Sequence, residues 1–140
     1  MNKGKKIRQL REDAGLTQAQ LAKAGGVTEP AIRSYESGGS APRPKPLAAL
    51  SQALGVVPDA IVDHKLDSPV AAMQALFELE DGDAAARPVG TVGGAAVRFG
   101  GDIATYVEQW LSMRERLDDG TLSREEYVRW RDRLGLGGDE

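Results

Sequence analysis

Apolar residues recur at helical spacing through most of this chain, and the rhythm breaks in only one place. Ile7 and Leu10 mark a helix over residues 3–14. Leu21 and Ala22, then Val27 and Ile32, sit in two short helical stretches separated by Gly25-Gly26. Leu47, Leu50 and Leu54 form one stripe of a fourth helix over about 46–54, and Ile61 anchors a short fifth over about 58–64. Val70, Met73, Leu76 and Phe77 carry a helix from 69 that ends before Gly82. Ile103, Tyr106, Val107, Trp110, Leu111, Met113 and Leu117 give a wide apolar face over about 102–118, and Tyr127, Trp130 and Leu134 line a last helix. Between residues 82 and 101 the chain reads RPVGTVGGAAVRFGG after an acidic lead. Residues 88–92 and 95–99 are expected as two short strands turned by Gly93-Gly94, and disorder over 82–88 is the alternative there. The expected fold class is mainly α, with one β-hairpin.

The residues between the stripes locate the helix ends. Thr17 precedes Gln20 by three, which spells a reciprocal capping box. Gly25-Gly26 supplies the positive φ that closes a helix, and Thr28 caps the next with Pro30 in its first turn. Leu21, Ala22, Val27 and Ile32 then fill the angle of a helix-turn-helix, leaving Glu29, Arg33 and Ser34 outward. Ser68-Pro69 begins a new helix after Asp67, so the chain divides into residues 1–66 and 67–140. Ser123 and Glu126 form a second capping box.

Residues 7–62 resemble the XRE/Cro family of phage-repressor-like DNA-binding domains. The match lies in Leu10, Arg11, Gly15-Leu16-Thr17-Gln18, Leu21-Ala22, Val27, Ile32, Tyr35-Glu36-Ser37-Gly38 and Leu54-Gly55-Val56. The resemblance implies a five-helix domain whose third helix, about 28–37, lies in the major groove of double-stranded DNA. Carried over position by position, the base-facing residues are Thr28, Glu29, Pro30, Arg33 and Ser34. Arg33 suits guanine and Glu29 suits cytosine N4, whereas Pro30 and Ala31 depart from the family's polar habit and offer only apolar contact. The competing reading of Glu29 and Arg33 is that, four residues apart on one face, they bridge each other. The resemblance also places Thr17 and Gln18 against the DNA backbone, and makes Arg11 and Glu36 an ion pair tying helix 1 to the end of helix 3.

Charge agrees with that partner once the chain is split. Its net charge is −3, but residues 1–65 hold ten Lys/Arg against six Asp/Glu, and residues 66–140 hold eight against fifteen. The motif therefore lies in a half of charge +4 and the remainder carries −7. Lys5 and Lys6 near the start, and Arg43 and Lys45 in the proline-rich GSAPRPKPL segment, are the candidate phosphate contacts. Their alternative is ordinary solvated positions. The prolines are expected to keep that segment a stiff loop.

Catalysis finds no footing. Cysteine is absent and His64 is the single histidine, so thiolate and histidine-cluster metal sites are not expected, nor is any cofactor. The glycine-rich segment lacks the Gly-Lys-Ser/Thr of a phosphate-cradling loop. Some phage-type repressors carry a Ser-Lys peptidase, but the last lysine here is Lys65. There is no 18-residue apolar run and no hydrophobic signal core at the start, so a cytoplasmic protein without membrane contact is expected.

The acidic half holds Phe77, Phe99, Tyr106, Trp110, Tyr127 and Trp130. These rings fill a small core, line a subunit interface, or do both. Phe99, Tyr106, Trp110, Tyr127 and Trp130 are the candidate interface of a homodimer on a two-fold operator. The segment LDDGTLSREEYVRWRDRL resembles C-terminal helical hairpins of bacterial regulators, which implies no activity. A dimeric repressor is the expected function, and an antitoxin-like protein whose acidic half binds another protein is the alternative.

Overall fold

A computed structural model describes residues 2–136. In chain order it holds α1 (Lys3–Asp13), α2 (Gln18–Gly25), α3 (Glu29–Ser37), α4 (Pro44–Leu54), a 3-10 turn (Pro58–Ile61), α5 (Pro69–Asp81), β1 (Arg87–Thr91), β2 (Gly94–Arg98), α6 (Gly101–Asp118) and α7 (Arg124–Arg133). These residues form two compact units. One runs to Asp63 and takes in the chain again from Val128, and the other spans His64–Tyr127. The expected boundary at 66–67 did not include that return of the chain's end.

The first unit is built around one apolar cluster. Ile7, Leu21, Ala22, Ile32, Leu50, Leu54, Val56 and Ile61 are buried, with Leu10, Leu16, Val27, Tyr35 and Leu47 packed on them. Each α-helix and the 3-10 turn of the segment to Asp63 supplies at least one of those buried side chains. The caps follow from composition. Thr17 Oγ1 accepts from Gln20 N–H and Gln20 Oε1 accepts from Thr17 N–H, which completes the capping box. Gly26, at φ 66°, closes α2 in the left-handed region. Gly4 has a different duty: a Cβ there would lie 2.6 Å from the Tyr35 carbonyl oxygen and 2.7 Å from that of Glu36. The start of α1 can therefore touch the end of α3 only because residue 4 has no side chain.

Two local expectations change. The segment with Arg43 and Lys45 was expected as loop, but α4 begins at Pro44. Pro44 and Pro46 fall in its first turn, where a missing N–H breaks no internal bond, so they start the helix. The fifth helix is a single 3-10 turn, although Ile61 is buried as expected.

The unit also includes the end of α7. Asp132 accepts the Val57 N–H through its carbonyl at 3.0 Å, and its carboxylate pairs with Lys6 Nζ at 2.7 Å.

The second unit packs differently. Ser68 caps α5 by accepting from Ala71 N–H, yet α5 and α6 contain no buried residue. The hairpin is antiparallel, with Arg87 opposite Arg98 and Thr91 opposite Gly94. Its turn is therefore Val92-Gly93, one residue earlier than expected, because β2 starts at Gly94. The base of the hairpin is tied by Gly100 N–H donating to Ala84 O. Gly101, at φ 62°, starts α6 where a Cβ would meet Asp83 O at 2.8 Å. Ala86, Leu122 and Tyr127 are its buried apolar residues. Ser123 and Glu126 exchange both capping-box bonds at the start of α7.

Candidate nucleic-acid interface

The helix-turn-helix presents α3 on a rigid mount. Ile32 is fully buried on its inner side. At its end the Arg11 guanidinium grips Glu36 with two bonds of 2.9 Å and spends a third donor on Leu16 O, also at 2.9 Å. The Glu36 side chain is only 5% exposed. This forked pair fixes α3 against α1 and against the turn before α2. The bond to Glu36 raises the Arg11 pKa above its ordinary value, outweighing the opposing effect of burial. Removing either partner would strand a charge that water barely reaches.

With its inner side fixed, α3 exposes Glu29, Pro30 and Arg33, with Thr28 exposed at its cap and Ser34 half-buried. Thr28 Oγ1 accepts the Ala31 N–H at 3.3 Å, and its hydroxyl proton stays available for donation. Ser34 Oγ lies 2.7 Å from Ser40 Oγ, which ties the helix to the following loop. Glu29 and Arg33 bridge each other at 3.1 Å, with side chains 48% and 53% exposed. An exposed i, i+4 pair is worth about 0.3–0.5 kcal/mol, so a better anionic or base-edge acceptor displaces it easily.

The residues expected at phosphates fall into three groups. Thr17 is exposed at the α2 cap, whereas Gln18 is half-buried and reaches Glu36 Oε1 only at 3.5 Å. Arg43 and Lys45 are exposed at the start of α4, which has no side-chain cap. Prolines at 44 and 46 leave Lys45 as the one unbonded N–H donor of that turn, since Leu47 N–H donates to Arg43 O. Two cations and a positive helix end together favour an anion there. Lys5 is exposed, but Lys6 is paired with Asp132 and its side chain is 16% exposed. Asp132 lies 126 residues further along the chain, and nothing local in the sequence signals that pairing.

The aromatic candidates also separate. Tyr106 and Trp110 are exposed and Phe99 is half-buried. Tyr127 is buried, with its hydroxyl accepting from Trp110 Nε1 at 2.8 Å. Trp130 belongs to the first unit. No group of His, Asp or Glu among the described residues is arranged to hold a metal, and no helix among them is long and apolar enough to cross a membrane.

A helix-turn-helix family model matches residues 7–61. The P22 c2 repressor, solved with a synthetic operator, is 35% identical over 45% of this chain and 96% of that one, with a TM-score of 0.44. The solution structure of the P22 c2 repressor DNA-binding domain is also 35% identical, over 51% of this chain and 95% of its own, at a TM-score of 0.43. The SinR/SinI complex gives 25% identity over 54% of this chain and 75% of that chain, at 0.41. No curated protein matches the chain. On the family model and the 35% identity spanning nearly all of the P22 c2 repressor chain, the protein belongs to the XRE/Cro, phage-repressor-like family of helix-turn-helix DNA-binding regulators.

Proposed function

We propose that the protein is a dimeric, sequence-specific transcriptional repressor that sets α3 in the major groove of a two-fold operator. The observation that carries this reading is the mounting of α3, whose inner side and end are locked by Ile32 and Arg11–Glu36 while Glu29, Pro30 and Arg33 stay exposed. Arg33 reads a guanine edge after letting go of Glu29; Thr28 and Ser34 donate to base acceptors, and Pro30 meets a thymine methyl. Thr17, Gln18, Lys5, Arg43 and Lys45 hold the phosphates on either side and set the register. Lys6 contributes only if it leaves Asp132. The mechanism is occupancy: two copies cover two adjacent major-groove faces, about one helical turn apart, and exclude polymerase. The operator bound to the P22 c2 repressor in its solved complex is consistent with such a partner.

A salt titration tests this reading, with the DNA upstream of the protein's own gene against a scrambled duplex of equal length. Tighter binding to the native fragment that survives physiological salt is the expected result. Equal, weak and salt-sensitive binding to both duplexes would show that its own upstream DNA holds no operator. The second reading, a protein-binding role of the antitoxin kind, draws on the exposed apolar side chains of the acidic unit.

A further inference from the structure

The second unit leaves partly open an apolar surface of the kind that a folded monomer normally hides. Of the large exposed hydrophobic residues among those described, all but Leu136 lie between Leu66 and Leu111. On α6 they are Tyr106, Trp110 and Leu111, and the first two belong to a regular stripe. Ile103, Tyr106, Trp110, Met113 and Leu117 recur at intervals of three, four, three and four, the a/d spacing of a helix that packs along its length on another helix. The helix has 18 residues, about 27 Å, long enough for two heptads. Yet it buries none of them fully: Ile103, Met113 and Leu117 are half-buried, Tyr106 is exposed, and Trp110 is 54% exposed even with its indole N–H bonded to Tyr127.

The charges beside the stripe choose the occupant and its direction. With Ile103, Trp110 and Leu117 at a and Tyr106 and Met113 at d, the g positions are Asp102, Gln109 and Arg116, and the e positions are Val107 and Arg114. Against a parallel copy, g meets e, so Asp102 would face Val107 and Gln109 would face Arg114, with no opposite charges paired. Against an antiparallel copy, g meets g and e meets e. Ile103 then packs on Met113, Tyr106 on Trp110, Val107 on itself and Gln109 on itself, while Asp102 faces Arg116 at both ends. Asp102 and Arg116 form no ion pair within the chain among the described residues: the Arg116 guanidinium touches Met113 Sδ at 3.7 Å and otherwise acts on Asp119 from a distance.

We propose that α6 docks antiparallel on α6 of a second copy of this chain, with Asp102 of each copy against Arg116 of the other and Gln109 at the two-fold axis. The proposal rests on the dimeric reading above and specifies its surface. Apolar burial along the a/d seam supplies the attraction, which it must do because residues 64–127 are acidic overall and two such units repel. The two end pairs fix register and direction.

The test uses the full-length chain in sedimentation equilibrium, with Asp102→Arg, Arg116→Asp and the double variant. Each single change puts like charges opposite each other twice and is expected to weaken the dimer about tenfold. The double variant, and an equimolar mixture of the two single variants, restore opposite pairs and are expected to restore the association. The chain has no cysteine, so Gln109→Cys gives an independent readout: it should crosslink to itself under mild oxidation, and Thr105→Cys, at an outward position, should not. A dimer whose affinity ignores both single changes would overturn the antiparallel α6 pairing and leave the dimeric repressor standing. A wild-type chain that stays monomeric at tens of micromolar would overturn both.

Discussion

The two units solve opposite problems with similar helices. In the first, short helices of 8 to 11 residues converge on one apolar cluster. In the second, helices of 13 and 18 residues leave their apolar stripes half-buried or exposed, and both strands of the hairpin are exposed at every position. An isolated two-stranded hairpin is marginal in water. Amphipathicity alone therefore does not make a core: the stripe needs a counterpart, which the first unit finds in full within its own sequence and the second only in part.

Truncating one residue in each unit is the most forceful way to break this contrast. Ile32→Ala should destabilise the folded chain by about 2–5 kcal/mol, read by chemical denaturation, because a fully buried side chain leaves a cavity behind. Trp110→Ala should leave the stability of the first unit unchanged and reduce self-association. Arg11→Ala comes next. It should cost about 3 kcal/mol, since Glu36 is then left buried without its guanidinium, and Arg11→Lys should recover little because lysine cannot fork.

Smaller effects sharpen the functional side of the first unit. Arg33→Ala should relax discrimination at one base pair and cost about 1–3 kcal/mol of operator affinity, measured with a panel of single-base operator variants. An unchanged preference at every position would show that the reading face lies elsewhere. Arg43→Ala or Lys45→Ala should weaken all DNA about equally and lower the salt slope by about one.

The smallest effect belongs to the corner between α6 and α7. Asp119 accepts from the Thr121 hydroxyl at 2.7 Å and from the Thr121 N–H at 2.9 Å, and these bonds hold its carboxyl below its ordinary pKa. A depressed carboxyl favours the folded corner above the ordinary aspartate range, and the advantage fades as pH falls through the lowered value. Thr121 amide exchange should therefore quicken only in that acid range, and Asp119→Asn should remove the dependence.

Much of the helix capping in both units was legible from local chemistry. Thr17 and Gln20, Gly26, Thr28 with Pro30, and Ser123 with Glu126 are adjacent enough that their side-chain bonds follow from spacing. Arg11–Glu36 was readable only through the family resemblance, since 25 residues separate the pair. The start of α4 was misread because Pro44 and Pro46 look like helix breakers, and only the position within a turn distinguishes breaking from starting. The hairpin turn slipped by one residue because three consecutive residues, Val92-Gly93-Gly94, fit a tight turn and the ladder decides among them.

The sequence by itself determined which residues cap and which stripes are apolar, because both depend on neighbours within about four positions along the chain. It also determined the helix-turn-helix, whose two halves are joined by a turn too short to leave other arrangements. Only the tertiary structure decided that Gly4 admits the α3 backbone, that Lys6 faces Asp132, and that the α6 stripe stays only partly covered within the second unit. Those outcomes depend on which surfaces meet, and chain closure over tens of residues is governed by packing rather than by any local preference.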